Sequence, residues 1–318
     1  MAGLSLGRIG VLMGGPSSER EISLKSGHAV YEALKNLGLD VVAVDIKTDR
    51  EQDNIDLLRL AKLGCAFLAL HGYYGEDGRI QEIMDLLKIP YTSSGASASR
   101  LAMDKIASRK VFQGGGLTVP EYEVLEKGSL KKDWRYGNSL GLPVVVKPCA
   151  NGSSIGLSIV DKPEAVNEAV ELAFTFDDRV LLEKYISARE LTVGILDDEA
   201  LPVVEIIPKK RFFDYEAKYQ SGMTDYIVPA ELDKETAKIV QNAALKAHRL
   251  LGCFGCSRVD ILLDKEANPF VLELNSIPGL TPTSLLPKAA RVAGIDFAQL
   301  CVRLIQLAYE RTQVIFSR

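Results

Sequence analysis

Two short segments in the last third of the chain carry polar residues at a spacing that could hold a metal ion. In residues 258–260 and 273–275 the polar side chains are two positions apart, so on β-strands each pair would lie on one face. If the two segments pair as a hairpin, Asp260, Glu273 and Asn275 converge. Such oxygen ligands suit Mg²⁺, which binds a few carboxylates together with substrate phosphates. A solvated strand face explains the alternation equally well.

A lysine followed by a loop of small residues is a candidate phosphate site. Lys147 ends the apolar run 144–146, and the sequence CANGSSIG follows shortly after it. Backbone N–H groups of such a loop can approach phosphate oxygens closely. The G-x-x-x-x-G-K-[ST] pattern of a Walker A loop is absent, and a plain glycine turn between two strands is the alternative.

Two glycine-rich turns near the amino terminus each follow an apolar run. In GGPSSERE, Ser18 and Glu21 have the spacing of a capping box, which predicts a helix start. Glu19 could favour the helix dipole or hold a ligand ammonium group. His71 begins HGYYGEDG at the carboxyl end of a predicted strand, where open α/β sheets bind ligands. A purely structural histidine is the alternative. Because G-x-G-x-x-G is absent, a dinucleotide-binding oxidoreductase is disfavoured.

The elements that must position these turns alternate between strand and helix in the first part of the chain, which predicts an open parallel sheet covered by helices. The strands are predicted at 8–13, 41–46 and 66–70, and the helices at 18–37 and 54–62.

Beyond this sheet the pattern changes. Residues 93–116 are predicted to be helical up to the triple glycine 114–116, which indicates a hinge or domain junction. The polar and aromatic segment 211–224 is a candidate lid, or else an exposed connection. Further strands are predicted at 120–125, 144–146, 180–182, 191–196 and 201–207, a hairpin at 257–263 and 270–274, and helices at 233–251 and 295–309.

Composition limits the function classes. At about 150 residues per domain, the 318 residues predict two or three domains. The net charge of −4 gives no electrostatic case for nucleic-acid binding, and no run approaches the ~18 apolar residues of a membrane helix. Five scattered cysteines suit a reducing compartment, so we expect a cytoplasmic protein. The pair Cys253 and Cys256 predicts apolar packing before a strand rather than a zinc or redox site.

Eight segments, taken together and in this order, resemble the D-alanine–D-alanine ligases of the ATP-grasp superfamily. They are GGPSSEREISLKSG, LHGYYGEDGRIQ, MDKIASR, VVVKPCANGSSIG, LLEKYI with Glu190, DYEAKY, SRVDILLD and LELNSIPGLTPTS. The resemblance implies an ATP-grasp fold of mixed α/β and α+β class. Its parts would be an N-terminal open parallel α/β substrate-binding domain (1–100), a central α+β domain (101–187) and a C-terminal α+β catalytic domain (188–318) with a lid loop at 211–224.

The resemblance also implies a role for each matching residue. ATP would be bound by Lys105, Lys147, Ser154, Glu183, Lys184, Tyr185, Ile186, Glu190 and Lys218. Two Mg²⁺ ions, or Mn²⁺, would be held by Asp260, Glu273 and Asn275. D-Alanine would be bound by His71, Ser284 and Leu285, and the catalytic set would be Glu19, Ser153, Tyr219, Arg258 and Gly279. Within that set, Glu19 would hold the ammonium of the first D-alanine, and Arg258 and the Gly279 N–H would stabilise the oxyanion.

The implied reaction joins two D-alanine molecules through a D-alanyl phosphate, with release of ADP and phosphate, for peptidoglycan precursor synthesis. A homodimer joined through the N-terminal domain is implied as well. The alternatives are a D-alanine–D-lactate ligase, another ATP-grasp carboxylate–amine ligase and a nucleotide-binding regulatory protein without turnover. Tyr219 disfavours the first, since depsipeptide-forming members commonly have Phe there. The intact set of candidate catalytic residues argues against the last.

Overall fold

A three-stranded parallel sheet opens the chain in the computed structural model, which describes residues 6–128, 139–149, 156–209 and 224–316. Its strand order is β2-β1-β3, and helices follow the first two strands as parallel connections require. This confirms the predicted open parallel sheet. The elements are β1 (Ile9–Gly14), α1 (Arg20–Asn36), β2 (Val41–Ile46), α2 (Glu51–Ala61) and β3 (Cys65–Leu68).

The start of α1 differs from the predicted capping box. The helix begins at Arg20, with Glu19 in the N-cap position and no side-chain cap hydrogen bond. Instead, the Ser17 hydroxyl accepts the Glu19 N–H at 3.1 Å and donates to the His71 carbonyl at 2.7 Å. The turn is therefore held by the loop that follows β3, a tertiary contact that the Ser18/Glu21 spacing does not report.

Three helices connect the first sheet to the second: α3 (Arg79–Leu87), α4 (Ala96–Met103) and α5 (Lys105–Gly114). The single helical stretch predicted at 93–116 is thus two helices. The break lies at Asp104, whose extended backbone ends α4 and whose carboxylate accepts the N–H groups of Ile106 and Ala107 as the N-cap of α5. Because Asp satisfies two orphan donors there, a new helix starts at that point.

The second sheet is antiparallel, with the order β4-β7-β5-β6. Its apolar face packs on α6 and on a short 3₁₀ turn before it. The elements are β4 (Tyr122–Glu126), β5 (Val144–Pro148), β6 (Ser158–Val160), the turn Pro163–Ala165, α6 (Val166–Phe174) and β7 (Arg179–Lys184).

The third sheet is also antiparallel, with the order β11-β10-β8-β12-β13 and β9 paired to β8. Helix α7 packs across it, begun by an Asp233 N-cap. The predicted hairpin of β12 and β13 is confirmed. The elements are β8 (Arg189–Leu196), β9 (Glu199–Ala200), β10 (Val204–Pro208), β11 (Thr224–Ile227), α7 (Lys234–Leu250), β12 (Cys256–Leu263) and β13 (Pro269–Asn275).

A β-bulge interrupts that hairpin at Leu272. Asp260 pairs with Glu273, but the next residue, Ile261, pairs with Val271. Leu272 is the extra residue. Bulges next to functional sites redirect side chains, and this one brings Leu272 to the wall of the cleft described below.

Two helices end the chain and return to the first sheet. They are α8 (Leu285–Val292), which the sequence analysis did not predict, and α9 (Phe297–Phe316). Pro287 falls in the first turn of α8, where proline is tolerated although it weakens a sequence-based helix assignment. The Tyr309 hydroxyl donates to the Leu6 carbonyl at 2.5 Å, so both ends of the chain share one core with β1 and α1.

No single helix in the described ranges is long and apolar enough to cross a membrane, and α8 and α9 meet that standard only as a pair bent by 102°. Leu286 of α8 and Leu300 and Leu304 of α9 belong to the buried core on the first sheet.

Candidate active site

A cleft of about 380 Å³ lies between the second and third sheets. Strands β5, β6 and β7 form one wall, and β8, β10, β12 and β13 form the other. Pockets of this size that are largely apolar, with a few charged groups, are typical small-molecule sites. Six of the nine predicted nucleotide-binding residues line the cleft: Lys147, Glu183, Lys184, Tyr185, Ile186 and Glu190.

Lys147 and Glu183 form an ion pair at the base of this cleft, with 2.5 Å between Nζ and Oε1. They meet because β5 and β7 are antiparallel and Val145 pairs with Glu183, which makes Lys147 the diagonal neighbour on the same face. Burial lowers the pKa of Lys147, an effect that Glu183 opposes. Burial opposes ionisation of Glu183 too, but its cationic partners outweigh that effect and lower its pKa. Glu183 is therefore ionised at neutral pH.

The candidate metal residues converge on the hairpin as the alternation predicted. Arg258 pairs with Asn275 and Asp260 pairs with Glu273, so the four side chains share one face. Asp260 receives both arms of the Arg258 guanidinium at 2.9 and 2.8 Å and an Asn275 N–H at 3.2 Å. Lys105 lies 3.4 Å from Glu273.

The chemistry of these donors fits Mg²⁺. Two carboxylates and an amide oxygen are hard ligands that leave places for phosphate oxygens and water. Among the described residues, no group of three His, Cys, Asp or Glu side chains could hold a metal ion by itself. A divalent ion at this hairpin would therefore take its remaining ligands from the amide, the substrate and water.

A second polar group lies between the first sheet and the segment after β13. The His71 ring nitrogen Nε2 is 2.9 Å from Ser26 Oγ, and burial lowers the pKa of His71. The Glu19 carboxylate packs against Gly72. A Cβ added to Gly72 would lie only 2.6 Å from Oε2 of Glu19. The Leu280 N–H points to Ser26 Oγ at 3.4 Å. The segment after β13 thus contacts Ser26, which is also the partner of the candidate substrate residue His71.

The predicted D-alanine-binding residues Ser284 and Leu285 lie at the start of α8. Ser284 is the N-cap of this helix and Leu285 its first residue. Ser284 Oγ accepts the Thr281 N–H at 3.1 Å, and a Cβ on Gly279 would lie 3.1 Å from the same oxygen. The positive end of the helix dipole favours an anion such as a carboxylate at this position.

Four predicted site residues lie outside the described residues: Ser153, Ser154, Lys218 and Tyr219. The same holds for 211–223 of the predicted lid. Their roles stay predictions.

Two family models match the chain, and both describe the same enzyme family. "D-ala D-ala ligase C-terminus" matches residues 111–306, and "D-ala D-ala ligase N-terminus" matches residues 8–57. The chain belongs to the D-alanine–D-alanine ligase family. The N-terminal match includes Glu19, and the C-terminal match includes the whole β12–β13 hairpin, whereas His71 and Lys105 lie between the two.

Curated members of this family are similar over nearly the full chain. The D-alanine–D-alanine ligase of Pelotomaculum thermopropionicum is 45% identical over 312 residues, which cover 95% of this chain and 97% of the relative. That of Geotalea uraniireducens is 47% identical, with 95% of each chain covered. The crystal structure of the Bacillus anthracis D-alanine–D-alanine ligase complexed with ATP is 34% identical, covers 97% of this chain and 99% of its own, and has a TM-score of 0.85.

Sequence analysis missed two ionisable residues of this ligase. Glu76 accepts the Gly72 N–H at 2.7 Å and the Ile277 N–H at 3.3 Å, and burial, with Glu19 nearby, raises its pKa to about 8. Arg109 lies 2.8 Å from Glu183. Arg109 follows Lys105 by four residues on α5, a spacing that places two cations on one helix face and could have indicated the pair.

The C-x-x-C pair packs as predicted. Both cysteines are free thiols, and Cys256 is fully buried in the core. Burial raises the pKa of Cys253 to about 11 and that of Cys256 to about 12, so neither thiol is a ready nucleophile at neutral pH.

Proposed function

We propose that this chain joins two D-alanine molecules in an ATP-dependent reaction that supplies a peptidoglycan precursor. The observation that carries the proposal is the proximity of two groups of residues. The Lys147–Glu183 cleft lies beside a hairpin whose Asp260 and Glu273 face each other. The hairpin leads directly into a segment whose Ile277 and Leu280 N–H groups point to Glu76 and to Ser26, the partner of His71. Family membership and the resemblance to an ATP complex support the same conclusion.

The first step activates a carboxylate, because an amine cannot displace an oxygen from a carboxylate ion directly. A carboxylate oxygen of the first D-alanine attacks the γ-phosphorus of ATP, the bond to the bridging oxygen breaks, and ADP leaves. Lys105 and Lys147 would neutralise charge on the phosphates. Mg²⁺ held by Asp260, Glu273 and Asn275 would supply further charge stabilisation when bound.

The second step forms the peptide bond. The amine of the second D-alanine loses a proton and attacks the carbonyl carbon of the D-alanyl phosphate, and the tetrahedral intermediate then expels inorganic phosphate. Arg258 and the Gly279 N–H would stabilise the oxyanion, at about 3 kcal/mol per donor by analogy with other oxyanion holes. Glu19 would hold the ammonium of the first D-alanine, and the N-terminus of α8 would take the carboxylate of the second.

The remaining expectations belong to the same proposal. We assign substrate binding to 1–100, the central nucleotide-binding domain to 101–187 and catalysis to 188–318, with two Mg²⁺ or Mn²⁺ ions. We also propose a cytoplasmic homodimer formed through the N-terminal domain. Apolar side chains exposed on α2 and α3, among them Leu60 at 80%, support that interface. Size-exclusion chromatography coupled to light scattering would measure the mass of the assembly and so test the homodimer.

The test is ADP release from ATP and Mg²⁺ with D-alanine, with L-alanine in a control tube, D-lactate added in a third and EDTA in a fourth. We expect ADP release that requires D-alanine and is abolished by EDTA, with D-alanyl-D-alanine identified by mass. ADP release with the depsipeptide as the main product would move the assignment to the D-lactate ligases. No ADP release in any tube would contradict the proposal.

A further inference from the structure

Arg109 is a fully buried cation behind the wall of the nucleotide cleft. Its side chain is 0% exposed and its guanidinium lies 5.3 Å from the ring centre of Tyr122 in β4. Nη2 also points to the carbonyl of Leu272 at 3.4 Å, the bulged residue of β13. Arg109 therefore contacts both sheets that enclose the cleft, although it does not line the cleft itself.

Arg109 and Lys147 share one oxygen atom. Arg109 Nη2 is 2.8 Å and Lys147 Nζ 2.5 Å from Oε1 of Glu183. Nε and Nη1 of Arg109 are buried without a hydrogen-bond partner in the described ranges. Glu183 is thus the main compensation for a guanidinium that cannot lose its proton in a protein.

Among the described residues, this buried cluster holds three cations and two carboxylates. Arg109, Lys147 and Lys105 are opposed by two carboxylates, Glu183 and Glu273. Breaking a buried pair strongly destabilises a protein when it leaves an unpaired charge. If Lys147 moves away from Glu183, the Glu183 carboxylate is not left unpaired, because Arg109 remains in contact with the same oxygen.

We propose that Arg109 is a positioning residue for the nucleotide: it remains on Glu183 as a permanent counter-charge and thereby frees Lys147 to pair with a phosphate of bound ATP. This inference rests on the proposed function. Without Arg109, Lys147 would be the sole close cation on a buried carboxylate among the described residues and would be held there. Arg109 therefore sets the affinity for phosphate groups without touching them.

The experiment compares Mg-ATP with adenosine, which lacks phosphates, by calorimetric titration of the whole protein without D-alanine. The measured quantity is the ratio of the dissociation constants for Mg-ATP and adenosine. Both ligands contain adenosine, so a change in adenine contacts affects both constants and cancels in their ratio. The variants are Arg109→Met, Arg109→Lys and the double variant Arg109→Met/Glu183→Gln. Lys110→Met, an exposed neighbour on α5, is the matched control.

We expect Arg109→Met to lower the preference for Mg-ATP over adenosine about tenfold, which is the worth of one charge-assisted contact. Arg109→Lys keeps the cation and should restore most of that preference, and Lys110→Met should match the wild type. The double variant also removes the carboxylate that would hold Lys147. Its preference for Mg-ATP over adenosine should therefore return to within about threefold of the wild type, which is the result expected for coupled residues.

Three outcomes would overturn the inference: an unchanged ratio in Arg109→Met, an equal loss of both ligands, or a double variant as weak as Arg109→Met. If Arg109→Met does not fold, Arg109→Lys decides: it keeps a cation beside Glu183 and should hold the preference for Mg-ATP within about threefold of the wild type, and a tenfold decrease would contradict the inference. A wild-type protein that binds no Mg-ATP would contradict the proposed function instead.

Discussion

Asp260 and Glu273 are direct partners on neighbouring antiparallel strands, and a bulge follows immediately at Leu272. The pairing places two carboxylates side by side, where their mutual repulsion must be offset by Arg258, Lys105 or a bound cation. The bulge turns Leu272 toward the nucleotide cleft. One hairpin therefore contributes both charged ligands and part of the apolar wall.

Glu273→Gln should abolish D-alanine-dependent ADP release. The substitution preserves shape but removes a negative charge from the proposed metal site, and we expect a loss of at least about a hundredfold in kcat. Glu266→Gln, an exposed change in the turn of the same hairpin, is the control and should behave as the wild type. Near-normal ADP release by Glu273→Gln would remove Glu273 from the metal site.

Arg258→Lys should lower kcat by about a hundredfold to a thousandfold with little change in KM, because an oxyanion donor acts in the transition state. Lysine keeps the charge but cannot make the two-armed contact with Asp260. Arg249 makes the same two-armed contact with Asp198 on the surface. Arg249→Lys should therefore leave steady-state rates unchanged. Equal losses in the two variants would indicate a general loss of stability.

Gly72→Ala should raise KM for D-alanine. Gly72 has a φ of +70°, and its added Cβ would displace the Glu19 carboxylate. Gly38 has a φ of +77° with nothing within 4 Å of the added Cβ. Each variant should lose about 1 kcal/mol of stability from the left-handed backbone. If KM rises equally in both, the effect is backbone strain and not displacement of Glu19.

His248→Asn should reduce the acid sensitivity of folding. His248 is buried with Nδ1 2.7 Å from Ser257 Oγ, and burial lowers its pKa to about 4 from 6.5. Between these pH values the unfolded chain binds a proton that the folded protein does not. Stability from this residue is therefore complete above pH 6.5 and is lost as pH falls toward 4, on the order of 3 kcal/mol in total. Urea titrations at several pH values would measure it.

The matched control for that experiment is His28→Asn, a change at an exposed position of α1. We expect it to retain the acid sensitivity of the wild type. If His248→Asn unfolds at the same pH as His28→Asn, proton uptake by His248 does not limit stability in acid.

Period-two alternation was sufficient to predict the β12–β13 hairpin, because its four polar residues alternate with buried apolar ones and a turn separates them. The bulge at Leu272 could not be predicted in this way, since it depends on how the strand meets its neighbours. Arg109 was missed for a related reason. Local sequence shows a cation on a helix, but its burial is set by β4, β7 and β13, which are distant along the chain.

At the start of α1 the sequence shows a local pattern that the structure does not use. Ser18 and Glu21 satisfy a local capping pattern, yet the contact between Ser17 and the His71 carbonyl determines where the turn lies. Local rules could predict that a helix follows β1. The first residue of the helix depends on a loop that arrives some fifty positions later in the chain.

The shared core of the two chain ends has a consequence for biosynthesis. Val11 and Phe67 of the first sheet are buried together with Leu300 and Leu304 of α9. The ribosome releases the sheet and α1 long before it completes α9, so that apolar face lacks the cover of α9 during most of translation. The first sheet is made well before α9 but reaches its final packing only with α9, and until then its apolar face can bind chaperones or aggregate.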